Sequence, residues 1–176
     1  NLTTGTAIDL STFQDGYWSL GGSIGSSTYN GGAGSIIPGA GNVYRFGNGG
    51  ATLTLQPTAA NVDVLSDVGG ASSVLVGRAD AWQSAGYNST PLIYGSNLNN
   101  SYTGGTVITR GRDIGGGWYQ TGVRVDGGDH GAGTFRTPLG TGVVDIWGHL
   151  RFSGANGSLI NATGENYTTL VTHAGS

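Results

Sequence analysis

Asn99-Asn100-Ser101-Tyr102-Thr103-Gly104-Gly105-Thr106-Val107-Ile108-Thr109-Arg110-Gly111 places a polar lead, an aromatic, a glycine pair and a β-branched run side by side. Each part has a physical meaning. The glycines supply backbone conformations with positive φ that a corner needs and a Cβ would obstruct. Thr106 to Thr109 is a run of strand-favouring residues. The expected reading is a coil in which Tyr102 caps one rung, Gly104-Gly105 turns the corner and Thr106-Val107-Ile108-Thr109 enters the next strand.

The same grammar extends outward in both directions. Upstream, Thr6-Ala7-Ile8-Asp9-Leu10 alternates, as does Ala51-Thr52-Leu53-Thr54-Leu55, which puts Ala51, Leu53 and Leu55 on one face. Val62-Asp63-Val64 and Val74-Leu75-Val76 are short strand candidates. Downstream come Val123-Arg124-Val125, with the arginine outward, and a long alternation from Val144 to Phe152. That alternation places Val144, Ile146, Gly148, Leu150 and Phe152 on one face and Asp145, Trp147, His149 and Arg151 on the other. Tyr167 to His173 is a terminal strand candidate. Between these runs lie Gly21-Gly22, Gly31-Gly32, Asn48-Gly49-Gly50, Gly69-Gly70, Gly115-Gly116-Gly117, Gly127-Gly128 and Asn156-Gly157. Apolar residues never recur with helical spacing for more than a turn.

Composition supports an ordered all-β chain. Glycine makes up 36 of 176 residues, without the three-residue period of collagen. Charged residues are 10% of the chain and the net charge is −3, whereas disordered chains carry high charge and few β-branched residues. The fold class expected is a right-handed parallel β-helix (β-solenoid) over residues 1–176, with a β-sandwich as the alternative. Uneven corners favour stacked rungs over hairpins, which prefer two-residue turns. At about 20–25 residues per rung the chain would make roughly seven to nine rungs. Without an initiating Met it reads as a processed product, an excerpt or a repeating unit of a longer surface protein or fibre.

Residues 99–111 resemble the autotransporter-associated β-strand repeat, whose core reads approximately Asn-x-Tyr-Thr-Gly-Gly-Thr-x-Ile-x-x-Gly. The repeat's usual sequel, a Leu-Gly-x-Gly corner followed by a Leu-Arg-Phe-like rung, is similar to Pro138 to Gly154. Asn42 to Leu55 is similar to the rung that often precedes such repeats. The resemblance spans about residues 42 to 154 and implies the passenger domain of a bacterial autotransporter or a related surface protein. It implies a β-helix and no particular activity. Asp113 to His130, with Trp118 and Tyr119, departs from the pattern and reads as a corner insertion able to carry specific function.

The chemistry-bearing residues are sparse. All seven basic residues are scattered arginines, so no stripe exists to neutralise a nucleic-acid backbone. No apolar run approaches the ~18 residues of a membrane helix. Cysteine is absent, which excludes disulfides and thiolate metal sites. Gly21-Gly22-Ser23-Ile24-Gly25 fits the nucleophile-elbow pattern, but no helix signal follows, as that motif requires. His130, His149 and His173 are far apart and lack metal-type spacing. No acid pair stands out as a glycosidase couple. A pectin-lyase-type enzyme would share the solenoid but needs clustered charge on one face. The expectation is therefore no catalytic residue, no cofactor and no metal. The one weak exception is a calcium-binding turn at Asp126 and Asp129.

Aromatics form the strongest binding signal. Tyr17-Trp18, Trp82, Tyr87, Trp118-Tyr119 and Trp147 mostly adjoin glycine, and exposed rings of this kind stack on sugars. The candidate ligand-binding residues are Trp118 and Tyr119, in the insertion, and a mixed aromatic and polar strip of Asp145, Trp147, His149 and Arg151 on the outward face of Val144 to Phe152, with host or environmental glycans as partners. Asn-x-Ser/Thr sequons begin at Asn1, Asn88, Asn99, Asn156, Asn161 and Asn166. The two end segments look strand-like and lack blunting Pro or Lys. Ile8, Leu10, Tyr167, Leu170 and Val171 are thus expected to pair with further rungs or identical subunits. The function expected is an extracellular structural or adhesive segment at a bacterial cell surface, with a carbohydrate-binding module as the alternative.

Overall fold

A strand of three to five residues buries too little apolar surface to be stable alone; stacking such strands in register pools their buried faces. In a computed structural model the chain does this. The structure describes residues 7–22, 26–47, 51–60, 62–77, 92–95, 97–109, 122–126, 137–153 and 169–173. The strands are β1 (Ile8–Asp9), β2 (Ser27–Tyr29), β3 (Ile36–Ile37), β4 (Val43–Phe46), β5 (Leu53–Leu55), β6 (Ser73–Val76), β7 (Leu92–Tyr94), β8 (Thr106–Ile108), β9 (Gly122–Asp126), β10 (Val143–Ile146), β11 (His149–Ser153) and β12 (Thr169–Thr172). One five-stranded sheet runs β4-β6-β8-β10-β12, a second runs β2-β5-β7-β9-β11, and β1 pairs β3. Every pairing between the described strands is parallel, and the antiparallel contacts among the described residues are two isolated bridges, Gly22 to Ala51 and Gly39 to Val43. The chain is an all-β parallel β-solenoid, as its sequence suggests, and the sandwich alternative falls because its hairpins would pair antiparallel. Among the described residues the helical content is two single 3-10 turns, Leu10–Thr12 and Gln14–Gly16.

Register aligns the core in columns. Tyr44, Val74, Thr106 and Val144 form one column, and Phe46, Val76, Ile108 and Ile146 the next but one. Across the interior, Leu53, Leu92 and Val123 stack, as do Leu55, Tyr94 and Val125. All these side chains are buried. Each fully buried aliphatic contributes about 1.5–3 kcal/mol relative to exposure.

Several expectations need correction. Among the described residues the long sheets are five strands deep, short of seven to nine rungs, because a circuit consumes more chain than expected: 26 residues from Val143 to Thr169 and 39 from Leu53 to Leu92. Val144 to Phe152 is two strands in two different sheets, bent at Trp147-Gly148, whose amides both bond to the Ile108 carbonyl. Val62-Asp63-Val64 is no strand; it makes one parallel bridge, Val62 to Leu98. Leu10 is buried but opens a 3-10 turn and does not extend β1. Tyr102 is no cap. It is fully buried, with its hydroxyl 2.6 Å from Thr106 Oγ1. Gly105 does turn the corner (φ 90°), and a Cβ there would meet the Val143 carbonyl oxygen at 2.5 Å.

Away from the two long sheets, isolated backbone bonds join the described turns, such as the Asn99 amide to the Val62 carbonyl and the Ser101 amide to the Leu65 carbonyl, and side chains reinforce them. Asn100, fully buried, accepts from the Leu65 amide at 3.0 Å and donates to the Pro138 carbonyl at 2.7 Å, joining three successive turns. Asn99 accepts from the Thr137 amide at 2.9 Å. Asp63 receives the amide and hydroxyl of Ser101. Asp67 receives the Ser72 amide at 2.7 Å and both the amide and hydroxyl of Thr103. These donors, the Ser72 amide first, hold the Asp67 carboxyl below the usual carboxylate range.

Candidate functional site

Two surface features carry chemistry. The first lies where β10 leaves its sheet. Asp145 faces outward on β10, and the chain turns immediately afterwards, which lifts Trp147 clear of the stack. Trp147 remains 43% exposed. The His173 ring stacks on it with centroids 3.4 Å apart and planes 12° off parallel. His173 Nε2 lies 2.6 Å from Asp145 Oδ1, and the Trp147 indole N–H donates to Asp145 Oδ2 at 3.2 Å. One carboxylate therefore orients both rings.

Of the proposed ligand strip, Asp145 and Trp147 come together here and are joined by His173, which the sequence marked only as a histidine without metal-type spacing. The single strand face expected to carry all four is divided, with Asp145 on β10 and His149 and Arg151 on β11. His149 opens β11 in the opposite sheet, where its ring occupies the space over Gly122. Arg151 follows it on β11, aligned with Arg124, and its side chain lies outside the described residues. The physical reason is the Trp147-Gly148 bend, which sends the two halves of the alternation to different faces. Trp118, Tyr119, Trp82 and Tyr87 lie outside the described residues, as do Ser23 to Gly25.

Asp126 directs both carboxylate oxygens to the Arg124 guanidinium, at 2.7 and 2.9 Å. Asp129 lies outside the described residues. Among the described residues no three His, Cys, Asp or Glu side chains are grouped to hold a metal. Of the candidate assembly residues, Ile8 pairs through β1 with β3, Leu170 and Val171 lie on β12, and Tyr167 is outside the described residues. Of the sequon asparagines, Asn99 is described and its side chain engages Thr137.

The second feature is the turn at Phe13 to Trp18, between β1 and β2. Phe13, Tyr17 and Trp18 are 48%, 67% and 57% exposed. Trp18 Nε1 donates to Gln14 Oε1 at 2.9 Å, and the Arg45 guanidinium lies 4.9 Å from the Tyr17 ring centroid. Tyr17-Trp18 was visible in sequence as an aromatic pair. The pinning by Gln14 and by Arg45, 29 residues from Gly16 in the chain, was not.

No family model, curated protein or solved structure matches this chain.

The Trp147 cluster has a structural consequence that can be measured. β12 is joined to the sheet through β10, and His173 is the residue that follows it. Replacing His173 by Ala removes the stacked ring and the Asp145 contact together. Amide exchange at residues 169–173 should then accelerate about tenfold or more, while residues 43–46 keep their protection. Unchanged exchange at β12 would show that the cluster does not fasten it.

Proposed function

We propose that this chain is an extracellular structural and adhesive segment of a bacterial surface protein or fibre, extending from the cell and joining further rungs or identical units by strand pairing. The observation that carries the reading is the outer edge of β12, the outermost described strand of its sheet. β12 bonds to β10 on one side and to no other described strand on the other. The His173 amide donates to the Ile146 carbonyl. Backbone direction alternates along a strand, so the neighbouring Thr172 N–H points away from β10. Such an edge is a template for another strand. The Tyr102–Thr106 core supports the finer reading, because its likeness to the autotransporter-associated repeat goes with passenger domains built from this kind of coil. The reading assigns the chain no reaction and no membrane insertion.

Light scattering tests it. The protein should associate as its concentration rises. Thr172→Pro, at an exposed position, removes the outward donor and leaves the His173–Ile146 bond in place. It should abolish association and leave the melting temperature within a few degrees. A wild-type protein that stays monomeric at high concentration, or a Thr172→Pro variant that associates equally well, refutes assembly through this edge.

A further inference from the structure

The turn at Phe13 to Trp18 is costly to form. Gln14 (φ 34°) and Asp15 (φ 60°) both adopt left-handed backbone, and Gly16 (φ 75°) continues it. Left-handed backbone at a residue other than glycine costs of order 1–3 kcal/mol, less for Asp than for Gln, and persists where the surroundings over-determine it.

Here they do. The Gly16 amide donates to the Phe13 carbonyl at 2.9 Å, and the Gly16 carbonyl accepts from the Ala40 amide at 3.0 Å and from Arg45 Nη1 at 3.2 Å. The same Nη1 reaches the Ala40 and Val43 carbonyls at 3.0 and 3.2 Å. The approach is so close that a Cβ on Gly16 would lie 2.4 Å from the Ala40 nitrogen. Burying apolar surface is not what this clamp achieves. It turns three aromatic rings toward solvent and fixes two of them, Trp18 through Gln14 and Tyr17 over Arg45.

We propose that the Phe13–Trp18 turn is a preorganised platform for a neutral polysaccharide, whose pyranose rings stack on Tyr17 and Trp18. Rings already held in place lose little freedom on binding, which favours affinity from a small contact. The polar residues of the turn, Gln14 and Asp15, offer groups that suit sugar hydroxyls. Charge argues against an anionic chain: the Asp15 carboxylate lies in the turn, and Arg45, the cation beside it, is engaged with three carbonyls. Size argues against a second copy of this protein. An aromatic side chain buries about 150–250 Å². Three half-exposed rings therefore offer well under the ~800 Å² per partner of a stable protein interface. This platform is separate from the open edge at β12, so either proposal can fail alone.

Calorimetric titration with cellohexaose and xylohexaose, and with oligogalacturonate as the anionic comparison, tests the proposal. Saturable binding to a neutral oligosaccharide is expected. Trp18→Ala and Tyr17→Ala should each weaken it about tenfold or more, Trp18→Phe should keep most of it, and Val68→Ala, at an exposed apolar position elsewhere, should leave it unchanged. Thermal melts of each variant separate lost binding from lost folding. The proposal is overturned if neither neutral sugar binds or if oligogalacturonate binds more tightly. It is also overturned if both alanine variants bind at full strength, or if Trp18→Ala removes only self-association of the protein.

Discussion

Raising the pH from 10 toward 12 should unfold this protein cooperatively. Tyr44, Tyr94 and Tyr102 are fully buried. Burial pushes the Tyr44 phenol up from 10.0 to about 12, against a hydrogen bond to the Ser66 carbonyl that lowers it, and raises Tyr94 and Tyr102 as well. In the unfolded chain these phenols titrate near 10. Above that pH the unfolded state has released protons that the folded state retains, so stability falls as pH rises and is intact below 10. Each tyrosine costs about 1.4 kcal/mol per pH unit until its folded pKa is reached. Three together cost ~4 kcal/mol per unit, against a typical net stability of ~5–15 kcal/mol. Lysine is absent, so below the range into which burial lowers the Arg45 guanidinium the transition reports phenols. Tyrosinate absorbance and loss of strand signal by circular dichroism should move together. Smooth ionisation of all the tyrosines with the strands intact would show that the core is open to water.

Asn100→Ala should be the most damaging single truncation of a polar side chain. It strands the buried Leu65 amide and Pro138 carbonyl at once, and an unsatisfied buried group costs ~1–3 kcal/mol. A loss of roughly 2–5 kcal/mol follows, visible as a lower denaturant midpoint with an unchanged slope. Asn100→Asp keeps an acceptor for Leu65 but faces Pro138 with a second acceptor and buries a charge, so it should fare no better. A loss under ~1 kcal/mol for both variants would mean that water already serves these groups.

The strands were legible where a strict period of two met a glycine corner. Leu53–Leu55, Ser73–Val76 and Thr106–Ile108 emerge close to where the alternation puts them. The same rule failed at Trp147-Gly148 for a definable reason. Ile146, Gly148 and Leu150 keep their parity through the bend, with Gly148 buried, so alternation alone cannot reveal that the chain changes sheet. The side held by Asn99, Asn100, Asp63 and Asp67 was invisible as structure, because its backbone and side-chain bonds alike join residues 35 to 38 apart in the chain. Circuit length was underestimated because nothing in a short motif states how much chain separates one corner from the next. Of the site residues, Trp147 and Asp145 were found by adjacency in sequence, whereas His173 reaches them only through the register of β12.

The clips between turns also determine how the coil bears load. Its backbone hydrogen bonds run along the stacking axis, so tension applied end to end pulls directly on the contacts between one turn and the next. At each junction the two sheets and the Asn and Asp clips share the force in parallel. A junction therefore holds as a unit until it fails as a unit, and failure frees a whole circuit of chain, 26 to 39 residues by the registers of β10–β12 and β5–β7. At about 3.3–3.6 Å per residue that is roughly 90–140 Å of slack released in one step. The coil lengthens by discrete increments under strain and leaves the remaining turns closed.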